Sequence, residues 1–200
     1  MTSYEDETIT TITNYAFSAV TSLRKIILNN VKIIGANAIN GLANLEEVYI
    51  PNVTQIGSNA FQNCTNLEGI EIRSLTNFSG NSNFYGCQKL LYCDLGTVRG
   101  LPGSCFGNNY NLKYVFLRKT DGITSMDSYN VFNNTPLNGR NSMNGIVFVP
   151  SALIPTYQTA TNWVGLYNAG TCIFKPLENY TKDGTVTGEL NWEAINAEEV

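Results

Sequence analysis

The feature that most constrains the fold of this chain is an internal repeat of 22 to 23 residues. A leading apolar column and a leucine column six residues after it share the spacings 22, 22, 23 and 22. The two columns are Phe17, Ile39, Phe61, Phe84 and Phe106, and Leu23, Leu45, Leu67, Leu90 and Leu112. Such a fixed period is typical of a solenoid, because one repeat buries its apolar face only against neighbouring repeats.

Each repeat also contains a short strand pattern. Two apolar residues separated by one residue follow every leucine, as in Val48-Tyr49-Ile50, and this alternation places one face of a strand inward. The apolar spacing over residues 59–67 favours a helical turn lying over the core. The sequence therefore predicts an α/β solenoid of about five regular coils, with short parallel strands and an irregular C-terminal cap.

The same period divides the chain into three parts. Residues 1–145 form the predicted solenoid, which is regular to about residue 118 and continues as a looser coil over 119–145. Residues 146–178 are predicted to form a strand–helix cap, since an open solenoid end exposes its core. Residues 179–200 are polar and end in Glu-Glu-Val, so we interpret them as an acidic tail. Two alternatives would order it: a partner subunit, or a strand at 185–187 added to the cap.

Within the cap, apolar runs predict strands at 146–149 and 172–174. Ser151 is a suitable N-cap for a helix over about 152–166. One apolar stripe at helical spacing supports that helix: Leu153, Tyr157, Ala160 and Val164.

Three stretches determine the family resemblance: NYAFSAVTSLRKIIL at 14–28, NVTQIGSNAF at 52–61 and NAFQNCTNLEGIEI at 59–72. They resemble the leucine-rich repeats of BspA-like bacterial surface proteins, over about residues 8–118. The chain departs from that pattern at Ile39, where the family has Phe, and at Cys105, where Ala is usual. The resemblance implies a leucine-rich-repeat scaffold that displays a surface for recognition.

Composition argues against several functional classes. The chain has no histidine, which excludes Ser–His and Cys–His nucleophile pairs and histidine-containing zinc sites. Its net charge of −4 provides no positive field for nucleic acid. No apolar run approaches the roughly 20 residues that span a bilayer. We therefore expect no nucleic acid, no membrane span, no cofactor and no metal.

Cysteines and carboxylates are the remaining reactive groups. Cys64 and Cys87 share a repeat column, and they are either buried free thiols or a disulfide between stacked coils. Glu71 and Asp94 also share a column and are expected side by side on an open, solvated strand face. Such a face lacks the enclosed pocket that would separate two carboxyl pKa values for acid–base catalysis. We predict that the chain is not an enzyme.

Asparagines recur near the start of each repeat, before the leading apolar column. We expect their amides to stack and to satisfy backbone groups that turn within each coil. The residues concerned are Asn14, Asn37, Asn59 and Asn83.

The outward-facing strand positions are the candidate binding face. Tyr92, Tyr114 and Phe116 are expected to form an exposed aromatic cluster, and Tyr and Arg are enriched at binding hot spots. There are two alternatives: an unremarkable surface, and a surface that the C-terminal residues cover. The whole candidate face comprises Tyr49, Glu71, Arg73, Tyr92, Asp94, Tyr114, Phe116 and Arg118.

The favoured functional hypothesis is a non-enzymatic component of a phage or prophage virion, such as a tail, fibre or decoration protein, assembled in the bacterial cytoplasm. The cap VPSALIPTYQTATNWVGLY at 149–167 resembles the ends of repeat proteins from such elements, and the acidic start after Met1 lacks a secretory signal pattern. Its surface would contact protein or surface glycan, as a homo-oligomer or within a larger assembly. The alternative is a BspA-type adhesin at the bacterial cell surface.

Overall fold

The computed structural model describes residues 2–140 and 143–198, so Met1 and the last two residues of the predicted tail lie outside the described part. The chain winds as a solenoid of about six turns built from parallel strands, which confirms the predicted fold class. The first row of strands consists of β1 (Ser3–Glu5), β3 (Lys25–Ile27), β5 (Glu47–Tyr49), β7 (Gly69–Ile72), β9 (Tyr92–Leu95), β11 (Tyr114–Leu117), β13 (Gly145–Val149) and β14 (Cys172–Pro176). The second row consists of β2 (Thr11–Ile12), β4 (Ile33–Ile34), β6 (Gln55–Gly57), β8 (Asn77–Ser79), β10 (Gly100–Leu101) and β12 (Ser125–Met126).

The strand register follows the sequence repeat. Ile26 lies opposite Val48, and Ile70 lies opposite Cys93, so paired residues are separated by the 22 or 23 positions of the repeat. Parallel strands in register place every repeat column in a line across the sheet. We call the outward-facing side of the first row the strand face.

The first row of strands is interrupted once. It comprises a three-stranded sheet, β1-β3-β5, and a five-stranded sheet that begins at β7, and the two sheets are not hydrogen-bonded into one. The second row continues past this point because β6 pairs with β8. Val48 on β5 is partly exposed as a result, whereas Ile26 and Ile70 at the equivalent positions are buried. The strand face therefore opens between the third and fourth coils.

The repeat columns form the core between the two rows. Rings of the phenylalanine column stack nearly parallel, with centroids 5.1 Å apart for Phe61 and Phe84, and 5.5 Å for Phe84 and Phe106. Phe132 extends this stack at 5.6 Å from Phe106, across the irregular coil. Each fully buried side chain of this size stabilises the fold by about 2 kcal/mol relative to exposure.

The stretch expected to form a helical turn over the core is made of tight turns instead. Two residues adopt a positive φ in the turns of each of four successive coils, and the first coil and the irregular coil have one such residue each at these positions. Asn and Gly accept this conformation more readily than other residues. The first of the two positions is filled by Tyr15, Asn37, Asn59, Ser82 and Ser104, and the second by Gly41, Asn63, Gly86, Asn108 and Asn134. A helix needs consecutive right-handed residues, so these turns exclude one.

The predicted asparagine stack is therefore only partly correct. Asn14 accepts a hydrogen bond at Oδ1 from the amide of Ala36, and Asn83 donates from Nδ2 to the carbonyl of Gly57. Asn37 and Asn59 instead adopt the left-handed backbone conformation, with φ of 56° and 54°. The asparagines are needed here for their backbone freedom as much as for their amides.

The single helix predicted over 152–166 is wrong. A 3₁₀ turn at Ser151–Leu153 leads into α1 (Ile154–Thr159), which ends before Asn162 at φ 67°, and α2 (Trp163–Asn168) follows. Ser151 does not cap a helix, because its hydroxyl donates to Glu178.

The expected apolar stripe of the cap contributes only Tyr157 to the buried core, together with Trp163 and Leu166 of α2. Two hydrogen bonds anchor these rings to the preceding coil. Tyr157 Oη accepts from the amide of Thr124 at 2.8 Å, and Trp163 Nε1 donates to the carbonyl of Thr124 at 2.8 Å. The cap closes the solenoid by burying aromatic rings whose polar atoms are satisfied.

Residues 179–198, the described part of the tail predicted at 179–200, fold back over the strand face. A 3₁₀ turn at Leu177–Tyr180 redirects the chain, Thr181 pairs antiparallel with Leu190, and α3 (Trp192–Asn196) follows. Residues 185–187 form bends and turns rather than the strand that one alternative required. We call residues 179–198 the C-terminal segment.

All five cysteines are free and buried, which settles the alternatives for Cys64 and Cys87. The thiols of Cys64 and Cys87 each donate to a carbonyl in the preceding coil, that of Ile39 at 3.2 Å and that of Phe61 at 3.0 Å, respectively. Burial raises the pKa of Cys87 to about 12. These thiols are therefore protonated and act as small core side chains.

A candidate binding groove on the strand face

A second apolar cluster lies on the strand face itself, outside the solenoid core. Tyr114, Phe116 and Phe148 project outward from β11 and β13 and are covered by the C-terminal segment. The expectation that Tyr114 and Phe116 are exposed is therefore wrong. All four residues of β11 are apolar, and a strand that is apolar on both faces requires a second covering layer. The covering residues are Tyr180, Leu190 and Ile195 of that segment and Leu177 just before it.

The expectation that Asp94 is a solvated carboxylate is wrong. Asp94 is fully buried, and its two oxygens accept from Nε and Nη2 of Arg118 at 2.7 and 2.8 Å. Nε of Arg73 donates to the same carboxylate at 3.2 Å. A bidentate pair with a second guanidinium provides the hydrogen bonds that a buried charge requires. Asp94 therefore joins two arginines in one buried hydrogen-bond network.

Arg118 connects this hydrogen-bond network to the C-terminal segment. Its Nη1 donates to the backbone carbonyls of Val186 and Gly188, the latter at 3.1 Å. Asp94 fixes the plane of the guanidinium, because both of its oxygens are engaged by that group. The strand face thus holds a polypeptide segment through its backbone.

A groove of about 620 Å³ lies between the C-terminal segment and the uncovered part of the strand face, at the interruption between β5 and β7. Tyr49 forms one side and is 56% exposed. Tyr92 and Trp192 form the other side, with ring centroids 4.5 Å apart and ring planes at 62°. The remaining walls are Val48, Pro51, Gly69, Ile70, Glu71, Arg73, Lys182, Glu189 and Leu190.

The charged side chains around the groove are paired. Arg73 binds Glu71 at 2.9 Å, and Lys182 binds Glu189 at 2.9 Å. Partial burial raises the pKa of the Glu71 carboxyl, while Arg73 opposes that shift. Burial also raises the pKa of Tyr92 to about 12, so its hydroxyl is protonated at neutral pH. The groove therefore presents aromatic rings and compensated charge.

The strand face remains uncovered on the N-terminal side of the groove. A shallower depression of about 470 Å³ crosses β3 and β5, where Lys25 binds Glu47 at 2.6 Å and both side chains are solvent-accessible. We call this uncovered surface of β3, β5 and β7 the open face. It is continuous with the groove through Tyr49 and Tyr92, which line both depressions.

The structure divides the eight candidate face residues into two groups. Tyr49, Glu71, Arg73 and Tyr92 line the groove. The other four are buried beneath the C-terminal segment, namely Asp94, Tyr114, Phe116 and Arg118. The binding role of the accessible group stays a prediction.

Sequence reasoning left a covering by the C-terminal residues as an alternative, but it named none of the residues that form this wall of the groove. Leu190 and Trp192 line the groove, and Ile195 is buried on the strand face. Three large apolar residues at 190, 192 and 195 within a polar stretch were the available signal. They mark a segment that packs rather than a solvated tail.

Within residues 2–140 and 143–198, no group of three or more metal-ligating side chains is close enough to hold a metal ion. No helix in this described part is long and apolar enough to cross a membrane.

The solved structures that resemble this chain include three bacterial leucine-rich repeat proteins. A T. pallidum protein is 22% identical with a TM-score of 0.48, covering 58% of this chain and 58% of that one. A Bacteroides ovatus protein is 19% identical with a TM-score of 0.41, covering 72% and 44%. A leucine-rich cell surface protein from Faecalibacterium prausnitzii is 18% identical with a TM-score of 0.43, covering 76% and 54%. This chain thus spans about half the length of each.

No curated protein matches the sequence. A family model described as a BspA type leucine rich repeat region does match, in six copies, over residues 3–113 and 32–153. These ranges contain both rows of strands from β1 to β13, the repeat columns and the turns between them. The chain belongs to the family of BspA-type leucine-rich repeat proteins.

Proposed function

We propose that the chain is a protein-binding module whose open face, with the adjoining groove, contacts the partner. A BspA-type repeat protein is suited to protein interaction, because the solenoid displays a continuous row of outward side chains. The observation that supports the location is the division of the strand face. Its C-terminal half is covered by the C-terminal segment, and its N-terminal half is left open beside a groove.

The chemistry of the open face suits a protein partner. Tyr49 presents a largely exposed ring on a strand, and Arg73 presents a guanidinium at the groove wall. Aromatic residues and arginine dominate binding hot spots because they bury a large area at a low entropic cost. Exposed ion pairs such as Lys25 and Glu47 contribute little to folding stability, and they suit the polar rim of an interface.

The virion setting, the cell-surface setting, a glycan partner and oligomerisation stay predictions from the sequence. A protein-binding open face is compatible with either setting, so the proposal depends on neither. Purified virions and bacterial envelope fractions are therefore both suitable sources of partner in the test.

Site-specific photo-crosslinking tests the proposal. A photoreactive residue replaces Glu47, which lies on the open face next to Tyr49, or replaces Tyr129, which is 48% exposed on another surface. We expect a discrete adduct from position 47 and none from position 129. Adding Tyr49→Ala to the position-47 probe should reduce that adduct. Equal adducts from both positions, or none from position 47 with either source, would overturn the proposal.

A further inference from the structure

Arg73 and Arg118 occupy the same position in two coils that flank Asp94. Each directly follows the last residue of its strand, Ile72 of β7 and Leu117 of β11, and both of these residues align with Leu95 of β9. Asp94 on the intervening strand accepts from both guanidinium groups. The two arginines are thus arranged around one carboxylate as repeat-related copies.

The two arginines differ in what their Nη1 atoms bind. Nη1 of Arg118 donates to two backbone carbonyls of the C-terminal segment, those of Val186 and Gly188. Arg73 donates from Nε to Asp94 and from Nη2 to Glu71, and its Nη1 donates to no protein group among the described residues. The Arg73 side chain is 32% exposed, against 4% for Arg118. Arg73 therefore lines the groove and has one guanidinium nitrogen, Nη1, that makes no hydrogen bond to the described part of the chain.

The surroundings of Arg73 reproduce the rest of the arrangement at Arg118. Beside Arg118, apolar side chains of the C-terminal segment pack on the rings of Tyr114 and Phe116. Beside Arg73, the rings of Tyr49, Tyr92 and Trp192 line the groove. The volume of about 620 Å³ falls within the range of roughly 300–1,000 Å³ found for ligand pockets.

The charges of the groove restrict what it accepts. Glu71 is paired with Arg73, and Lys182 with Glu189, so a charged ligand group would enter without a free counterion. A neutral backbone carbonyl satisfies Nη1 of Arg73 without adding charge. An apolar side chain gains contact with the surrounding rings.

We infer that the groove binds a short, uncharged segment of the partner polypeptide, with a backbone carbonyl on Nη1 of Arg73 and an apolar side chain against Tyr49 and Trp192. This inference rests on the proposed protein-binding function and names the chemistry of the partner. The binding mode repeats, between molecules, the contact that Arg118 makes within the chain.

The probe is a library of uncharged nine-residue peptides, selected on the full chain, with a glycan array tested beside it. We expect peptides with one or more large apolar side chains to be selected. Arg73→Lys keeps the charge beside Asp94 and removes the guanidinium fork, and it should weaken binding of a selected peptide about tenfold. Arg24→Lys is the matched control, because Arg24 is an exposed arginine that pairs with Glu46 and does not line the groove. It should leave affinity unchanged.

An amide-to-ester scan of the selected peptide tests the carbonyl directly, because an ester carbonyl is a weaker acceptor. One ester position should weaken binding to the original chain and have little effect on the Arg73→Lys variant, a non-additive result that identifies a direct contact. Additive effects at every position would overturn the inference, as would selection of peptides that tolerate Arg73→Lys. Binding on the glycan array alone would also overturn it.

The two proposals fail in distinguishable ways. An adduct from position 47, together with peptide binding that Arg73→Lys leaves unchanged, would keep the protein-binding function and reject the carbonyl contact. Absence of that adduct, together with no selected peptide, would reject both.

Discussion

The ring of Tyr92 lies over Gly69 of the neighbouring strand, so that a Cβ built on Gly69 would lie 2.0 Å from Cε1 of Tyr92. Other coils place Lys25, Glu47 and Tyr114 in the same column. Only a residue without a side chain lets Tyr92 lean toward β5 and line the groove together with Trp192. One glycine thus shapes the groove through the space that it leaves for the Tyr92 ring.

Gly69→Ala should displace the Tyr92 ring from this position and from its contact with Trp192. We expect a loss of about 1 kcal/mol in the free energy of unfolding, the range of one aromatic pair. Urea denaturation measures the change. In a Tyr92→Ala background the same substitution should cost markedly less, because the ring that it meets is absent. An equal cost in both backgrounds would contradict this account.

Asp94→Ala should be the most damaging polar substitution among the described residues of the strand face. It leaves the buried guanidinium of Arg118 without its carboxylate, and losing one partner of a buried pair costs about 3–5 kcal/mol. Glu46→Ala is the matched control, since Glu46 pairs with Arg24 at the surface, where a pair contributes about 1 kcal/mol or less. Urea denaturation measures the free energy of unfolding of both variants. Similar losses in the two variants would contradict the prediction.

Docking of the C-terminal segment should depend on pH at both extremes. Hydrogen bonds from Tyr180 and Lys175 lower the pKa of Glu198 from 4.5, so its contribution is present above pH 4.5 and is lost as pH falls through the lowered value. Burial, with Glu198 nearby, raises the pKa of Tyr180 from 10.0 to about 12. That contribution is present below pH 10 and is lost as pH rises toward 12.

Near-ultraviolet circular dichroism across the pH range measures this docking, because Trp192 and Tyr180 lie in the C-terminal segment. Glu198→Gln keeps an acceptor for Tyr180 and removes the titrating group. It should shift the acid transition, and an unchanged acid transition would show that other carboxylates control it.

Asn59→Ala should destabilise the chain by about 1 kcal/mol, because φ at this position is 54° and a left-handed conformation costs an alanine roughly that much. Asn59→Gly should be tolerated within a few tenths of a kcal/mol, since glycine adopts positive φ without strain. Thermal denaturation of the two variants compares them directly. Equal losses would indicate that the amide of Asn59, rather than its backbone conformation, stabilises the turn.

The solenoid itself was predictable because its information is local and repeated. The columns of Phe61 and Leu67 determine which residues face inward, and their spacing gives the strand register without any knowledge of distant contacts. The turns were less predictable. Left-handed positions are shared among Asn, Gly, Ser and even Tyr15, so no single residue type marks the column.

The covered half of the strand face could not be located from the repeat alone. The alternation of side chains along the strand identifies Tyr114 and Phe116 as outward-facing. An outward-facing side chain is exposed only where no second layer covers the sheet. The layer that covers them comes from residues far along the chain, as in the bond between Arg118 and Gly188, which are 70 positions apart. The apolar residues Leu190 and Trp192 indicated a packed segment, but nothing local specified its site.

The candidate site was likewise predictable only in part. The columns place Tyr49, Glu71 and Tyr92 on one face, and the structure brings them to one groove. The burial of Asp94 depends on Arg118 and the C-terminal segment together, so its environment was predicted wrongly although its position in the strand was correct.

The order in which the chain is synthesised gives the fold-back of the C-terminal segment a further consequence. Strands β11 and β13 leave the ribosome well before Leu190 and Ile195 exist to cover them. Until then the rings of Tyr114, Phe116 and Phe148 form an apolar patch on a nascent solenoid, the kind of surface that chaperones bind and that drives aggregation. A released chain that ends before Leu190 would therefore contain every residue of the solenoid core and have an unprotected exterior.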